Sequence, residues 1–411
     1  PLHAAHLWLL AIAHWGIDLL GHLLPPVLPV LVRDLGLTVA RAAALATAIN
    51  VSSGLLQPFL GAVVDRKGRP WMLPAAVVWC GAFMSVFGLA GNYAVLLAAA
   101  LLAGLGAALF HPLASVMLRT VAGGYSAAAM SIFGLGGTVG MASSPVLAAA
   151  LIAWRGLPGI RWLLLLAAAI AALLVAGGLH RLPRISRAFA EPKPGPDGAG
   201  PEDGKTASTQ DAAPAGNVRA LTYLAAAKFV RTISQVALLN FLPLYYVTRG
   251  VPESQAGLML TVFLVVGSAS GIASGYLSDR VGRKPVVVLS SLLATPAFIG
   301  FLYTGGFLQV AFLILTSACF YATFSVVPIY GQELVPNQPG MGAGLLMGGV
   351  WALASLTLVP LGSLADLVDL RLALLVAAWL PIASTLFMLP VPETRGTGRL
   401  RLGLGGATRR F

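Results

Sequence analysis

Twelve long apolar runs follow one another along this chain, and that serial pattern leaves few folds open. They fall at about 5–32, 40–64, 71–90, 93–118, 124–152 and 160–180, then at about 220–248, 254–278, 286–304, 307–331, 340–365 and 371–391. About 20 apolar residues suffice for a helix to cross a hydrocarbon core of ~30 Å. An open chain in lipid must satisfy its own backbone hydrogen bonds, so each run is read as a helix. Composition agrees: 58% of residues are hydrophobic, 10% are charged and the mean hydropathy is +0.86. Too few ionisable groups are present to cover a soluble protein of this length. The expected fold is an all-α polytopic membrane protein with twelve transmembrane helices.

The stretch between the sixth and seventh runs differs in kind. Prolines 192, 194, 196, 201 and 214 alternate with glycines 195, 198, 200 and 204 among charges of both signs. That composition predicts a flexible linker. The chain therefore divides into a six-helix bundle over 1–182, a linker over 183–218, a second bundle over 219–392 and a basic tail over 393–411. The two halves repeat. Gly61, Asp65, Arg66, Gly68 and Arg69 follow the second run; Gly275, Asp279, Arg280, Gly282 and Arg283 follow the eighth. The offset is 214 for both the first glycine and the aspartate. Pseudo-symmetric six-helix repeats are a transporter architecture.

The net charge of +12 is topological. If the duplicated loops face the cytoplasm, 18 Lys and Arg lie inside, 6 lie outside and 2 fall within a span. By the positive-inside rule both termini and the linker are then cytoplasmic, and no nucleic-acid surface is implied. Cys80 and Cys319 lie in apolar runs and suggest neither a disulfide nor a metal framework. The chain begins at Pro1 without a basic n-region, so a cleaved signal peptide is not expected. No Walker sequence is visible, so ATP drive has no support. No Ser/His/Asp or paired-carboxylate arrangement appears in the spans, so an enzyme is not expected, nor any cofactor.

Polar groups inside spans are the informative exceptions. His14, Asp18 and His22 recur every four residues on one face of the first helix. Asp18 is the only acid deep in a span, where an ionised carboxylate costs about 2.5–3.5 kcal/mol even on lenient insertion scales. It is a candidate proton carrier, with His14 and His22 as helpers; a permanent structural pair is the alternative. Adding the repeat offset to His14 reaches Lys228, and adding it to Asp18 reaches the neighbour of Arg231. These two cations are candidates for binding an anionic substrate in competition with Asp18. Arg231 supplies a planar fork and Lys228 a point charge; the alternative is that both snorkel to an interface. His111, Gln57, Gln235 and Asn240 are further candidate cavity residues. His111 precedes Pro112, so it is either a satisfied imidazole in a kinked helix or a switch. Two of the first-helix ligands plus His111 could also hold a transition metal, though no metal is expected.

The paired Gly-x-x-x-Asp-Arg-x-Gly-Arg loops resemble the signature between helices 2 and 3, and again 8 and 9, of the major facilitator superfamily. The resemblance covers all twelve spans and implies two six-helix bundles working by alternating access. Within that superfamily the chain resembles the fosmidomycin-resistance branch of bacterial drug exporters. The residues that carry this are His14 and Asp18, Leu55-Leu56-Gln57-Pro58, Phe110-His111-Pro112, Ser131-Ile132-Phe133 with Gly136-Gly137, Arg231, and Tyr330-Gly331-Gln332-Glu333-Leu334. That branch usually follows His-Pro with Glu and places a basic residue three positions later. Leu113 and Val116 stand there instead, so any role of that acid is absent or has moved. The resemblance makes the duplicated loops conformational gates, with Arg119 as a candidate partner of Asp65 and Glu333 at the matching end of the tenth helix.

The expected function is proton-coupled efflux of a small anionic or amphiphilic compound, such as a drug, by a monomer in the inner membrane. Its partners would be substrate, protons and lipid. Import or facilitated passage of an organic anion is the alternative, and a non-transporting sensor a remote one.

Overall fold

The computed structural model describes residues 4–89, 91–122, 127–182, 216–336, 338, 342 and 344–394. Among these, helices account for every expected span and no strand occurs. The first half comprises α1 (Ala4–Gly21), α2 (Leu24–Leu35), α3 (Val39–Leu55), α4 (Gln57–Lys67), α5 (Met72–Ser85), α6 (Tyr93–Ala122), α7 (Ala127–Arg155) and α8 (Leu163–Ala176). The second comprises α9 (Val218–Val247), α10 (Glu253–Val281), α11 (Arg283–Tyr303), α12 (Gly306–Tyr321), α13 (Val326–Leu334), α14 (Val350–Ser355), α15 (Leu358–Leu367), α16 (Leu370–Ala378) and α17 (Leu380–Met388). Ten of the described spans are long and apolar enough to cross a membrane. The other two expected spans are also helical. Met72–Gly88 is shorter, and α9 carries Arg219, Lys228 and Arg231 along its length.

Several spans are broken where sequence chemistry requires it. The first divides at His22–Leu23, and prolines open the second piece. Gly36 ends α2 with φ 61°, a left-handed C-cap. The second span divides at Leu56, where Pro58 cannot donate back into the preceding turn. A π-helical turn at Leu345–Gly349 precedes α14 in the eleventh span. Most of the expected linker (183–215) and tail (395–411) lies outside the described residues.

Two compact units are present. Unit 1 holds Pro1–Ala212, Gln235–Val265 and Trp351–Ala377; unit 2 holds Ala213–Ser234, Val266–Val350 and Ala378–Phe411. Packing thus groups stretches of α9, α10, α14, α15 and α16 with the first six spans, whereas the repeat follows covalent order.

In unit 1 the seam that places the candidate site runs between α1 and α7. A Cβ on Gly136 would stand 2.1 Å from the Ala11 carbonyl oxygen, and one on Gly140 would stand 2.3 Å from that of Trp15. The glycines of α7 are therefore imposed by the close backbone of α1. Trp15 strengthens the seam by donating from Nε1 to Ser143 Oγ at 3.2 Å. In unit 2 a Cβ on Gly267 of α10 would fall 2.3 Å from the Tyr321 ring. Such small-residue approaches are how helices associate in lipid, where apolar transfer supplies no drive.

The α1–α7 seam predicts opposite outcomes for neighbouring glycines. Gly136→Ala should cost about 1–3 kcal/mol, because Ala11 backbone cannot yield. Gly134→Ala, whose Cβ would meet nothing within 4 Å, should be neutral or stabilise by up to about 1 kcal/mol through helix propensity. Thermal unfolding of the purified variants in detergent measures both; equal midpoints would contradict the seam.

Candidate functional site

The first polar cluster lies in unit 1, where α1, α6 and α7 meet. His14 and Asp18, one turn apart on α1, pair at 3.2 Å between Nε2 and Oδ2. From α6, His111 Nε2 approaches Asp18 Oδ1 at 3.6 Å. From α7, the Phe133 carbonyl oxygen lies 2.8 Å from His14 Nδ1. A carbonyl only accepts, so Nδ1 carries a proton. The neutral ring then presents a bare Nε2 lone pair to the carboxylate, so a close Nε2–Oδ2 contact needs a second proton between them.

Packing fixes the imidazole. The His14 ring stacks on Phe133 with centroids 4.1 Å apart and lies edge-on to His111 at 5.5 Å. Gly137 supplies the room: a Cβ there would fall 2.5 Å from the His14 ring and 2.6 Å from Asp18 Oδ2. Exposure of the side chains is 13% for His14 and Asp18 and 31% for His111, so His111 is the least enclosed of the three. Among the described residues these three form the one His/Cys/Asp/Glu group whose ligand atoms lie within 4.8 Å of one another.

His22 does not join the cluster. Helix α1 ends at Gly21, and the His22 ring turns back to donate from Nδ1 to the Asp18 carbonyl at 2.9 Å. Leu113 and Val116, at the two positions where the resembled branch carries charges, are buried. Gln57 opens α4 at the break in the second span and is partly buried.

The second cluster lies in unit 2. Arg231 on α9 is 2% exposed and Lys228, one turn earlier, is 8% exposed. The guanidinium donates from Nη1 to Ser290 Oγ at 3.3 Å and to Ser291 Oγ, and from Nη2 to the Cys319 carbonyl and to that of Phe320 at 3.3 Å. Its Nε has no partner. Every partner is neutral. Among the described residues no carboxylate pairs with Arg231 or Lys228, whereas Asp18 takes histidines as its partners. Two adjacent buried basic side chains thus have no acidic partner among the described residues. Gln235 and Asn240, further along α9, are buried in unit 1, and Asn240 donates to the Val236 carbonyl at 2.8 Å.

The second copy of the duplicated loop forms an ionic network. Arg283 donates from Nη1 to Asp279 Oδ1 at 2.6 Å and to Ser278 Oγ at 2.6 Å, and from Nη2 to Glu333 Oε1 at 3.2 Å. Gly282 has φ 110°, a conformation that favours glycine. Its missing side chain leaves room for Glu393, which accepts from the Arg283 and Lys284 backbone N–H groups at 3.0 and 2.9 Å and caps α11. Thr394 completes the network by donating to Glu333. Arg280 packs over Tyr276 instead, 4.4 Å from the ring centroid. In the first copy Gly68 follows α4 and a Cβ there would meet the Val64 carbonyl oxygen at 2.4 Å. Gly61 faces Pro112 at ordinary contact distance, while Arg66 and Arg69 are exposed. Arg119 sits in the last turn of α6; the Asp65 side chain lies outside the described residues.

Sequence reasoning missed Phe133 as a proton-fixing carbonyl, Ser290 and Ser291 as the arginine's cradle, and Glu393 as a cap. The hydroxyl pair within an apolar run was the one visible signal among these.

The chain matches the family model for the Major Facilitator Superfamily over residues 10–355. It is 28% identical over 394 residues to the fosmidomycin resistance protein of Escherichia coli (strain K12), covering 94% of this chain and 92% of that one. It is 30% identical over 389 residues to the uncharacterized MFS-type transporter YfnC of Bacillus subtilis (strain 168), covering 93% and 92%. In fold it is similar to a bacterial homolog of the human lysosomal transporter Spinster, with TM-score 0.72, 16% identity and coverage of 94% and 96%. The chain belongs to the major facilitator superfamily and is a membrane transport protein rather than an enzyme.

Proposed function

We propose that this transporter couples proton entry to export of a small anionic or amphiphilic compound. The observation that carries the anionic specificity is the pair of buried cations, Arg231 and Lys228, that no carboxylate neutralises among the described residues. A buried charge without a partner is strongly unfavourable, and a substrate anion supplies the missing counter-charge. Arg231 keeps its Nε unpartnered while its Nη groups are anchored, so the guanidinium is held in place rather than collapsed onto an acid. Lys228 adds a second positive charge one turn away. A phosphonate or carboxylate fits this arrangement through charge-assisted hydrogen bonds.

The proton is assigned to the His14–Asp18 pair. The groups facing Asp18 are His14 on its own helix, His22 beyond its end, His111 from α6 and Cys80 from α5. No Lys or Arg pairs with Asp18 among the described residues, so its charge is set by a proton and not by a fixed cation. Ionisable groups at this depth are functional sites by default. The name of the Escherichia coli relative supports drug efflux, and the excess of Lys and Arg on one side supports cytoplasmic termini in a cell inner membrane. The Asp279–Arg283–Glu333 network acts as a gate that forms in one conformation and parts in the other, and the first copy of the duplicated loop is assigned the same role. The protein is read as a monomer.

Reconstitution into liposomes tests both assignments, with fosmidomycin, taken from the relative's name, as the first probe. Arg231→Ala should cut transport of the anion about tenfold or more, the worth of a hydrogen bond to a charged group, while Arg231→Lys should retain part of it. Undiminished flux in Arg231→Ala would remove the anion assignment. Separately, Asp18→Asn should abolish substrate-dependent proton movement recorded by an internal pH dye. Normal proton movement in that variant would remove the coupling assignment, and substrate flux without any proton movement in the parent protein would indicate a facilitator.

A further inference from the structure

Unit 1 contains a second charged contact, which joins the two sequence repeats far along the helices from the duplicated loops. Asp366, in the last turn of α15, accepts from the backbone N–H of Val39 at 2.6 Å through Oδ1 and from that of Ala40 at 2.8 Å through Oδ2. These are the first two residues of α3. The third donor, Arg41 N–H, is taken by the N-cap Thr38 Oγ1 at 3.2 Å, and Ala42 N–H makes the first helical bond to the Thr38 carbonyl at 3.0 Å. The orphan donors at this helix start are therefore accounted for, and two of the three are satisfied by a carboxylate more than 300 residues away. An anion on a helix N-terminus is also favoured by the helix dipole.

The approach is close and extended. One turn before Asp366, a Cβ on Gly362 would stand 2.8 Å from Ala40 Cα and 3.0 Å from the Val39 carbonyl oxygen. Further along α3, buried Thr47 donates to the Ser355 carbonyl at 2.8 Å. Arg33 pairs with Glu253 at the start of α10. Each of these contacts joins a residue of the first six spans to one of the last six.

Their position along the helices matters. The span formed by α3 and α4 runs from Val39 to Lys67, with the Asp366 contact at its first residues and the Asp65 loop at its end. Likewise α10 runs from Glu253 to Val281, with the Arg33 pair at its start and Asp279 at its end. The contacts thus lie on one face of unit 1, at the ends of these spans remote from the duplicated loops. We propose that Asp366 is a positioning residue of the transport cycle: its carboxylate latches the two repeats together at that face, and its release from the start of α3 is a required step of opening there. This rests on the alternating-access reading, but not on the identity of the substrate or of the proton carrier.

Distance measurement without substrate or pH gradient tests the latch. Spin labels go on Val95→Cys and Leu367→Cys, both exposed positions of unit 1, with Cys80 and Cys319 replaced by alanine. Double electron–electron resonance should give one dominant short distance in the parent protein. Asp366→Ala should raise the ratio of a longer-distance population to the short one about tenfold or more, as expected from losing two bonds to a charged acceptor. Asp366→Glu should restore the short distance at least in part. A merely structural carboxylate would lower the unfolding midpoint and leave the distance distribution unchanged. Should Asp366→Ala fail to fold, Asp366→Asn and Thr47→Val carry the test, each shifting the ratio in the same direction. A parental distribution in the folded variants would overturn the latch. Because no substrate is present, failed anion transport in Arg231→Ala or failed coupling in Asp18→Asn has no bearing on this result.

Discussion

In lipid the low dielectric decides where polarity is tolerated, and the structure is organised by that constraint. Backbone groups are satisfied inside helices, and apolar transfer gives helices no reason to associate with one another. Association falls instead to close backbone packing, as where Gly136 and Gly140 of α7 admit the carbonyl groups of Ala11 and Trp15. The same seam brings Phe133 against His14 and leaves, at Gly137, the space occupied by the His14 ring and the Asp18 carboxylate. Packing and site are one feature: the glycine that lets two helices touch is also the one that makes room for the polar pair.

The repeats share a scaffold but divide their polar chemistry. The first presents a carboxylate satisfied by two imidazoles, and the second presents an arginine held by two serine hydroxyls and two carbonyls. Among the described residues no Lys or Arg pairs with Asp18 and no carboxylate pairs with Arg231 or Lys228. The proposed coupling of a proton to an anion rests on that division. The duplicated loops show the same divergence on a smaller scale. In the second copy Glu333 engages Arg283, where the first half has Arg119 at the corresponding helix end.

Much of this was legible in the sequence because membrane helices leave little freedom. Twelve apolar runs and a repeat at constant offset carry the architecture. The isolation of Asp18, Lys228 and Arg231 in apolar surroundings carries most of the site. Spacing failed where helices end: His22 continues the stripe of His14 and Asp18, yet α1 stops at Gly21 and its ring bends back to the Asp18 carbonyl. The repeat offset links His14 and Asp18 to the positions of Lys228 and Arg231, but it does not announce that Asp18 takes its partners from α1 and α6. The carbonyl of Phe133, the cap from Glu393 and the reach of Asp366 to α3 are tertiary. No local pattern announces which distant backbone group a side chain will meet.

The central claim is that the buried cations of α9 exist to receive an anion. Isothermal titration of purified, detergent-solubilised protein with fosmidomycin and with its neutral phosphonate diester addresses that claim without any transport assay. Saturable one-to-one binding of the anion, weakened about tenfold or more by Arg231→Met and absent for the diester, is the expected result. Equal affinity for the anion and the diester, or unchanged anion affinity in Arg231→Met, would contradict it.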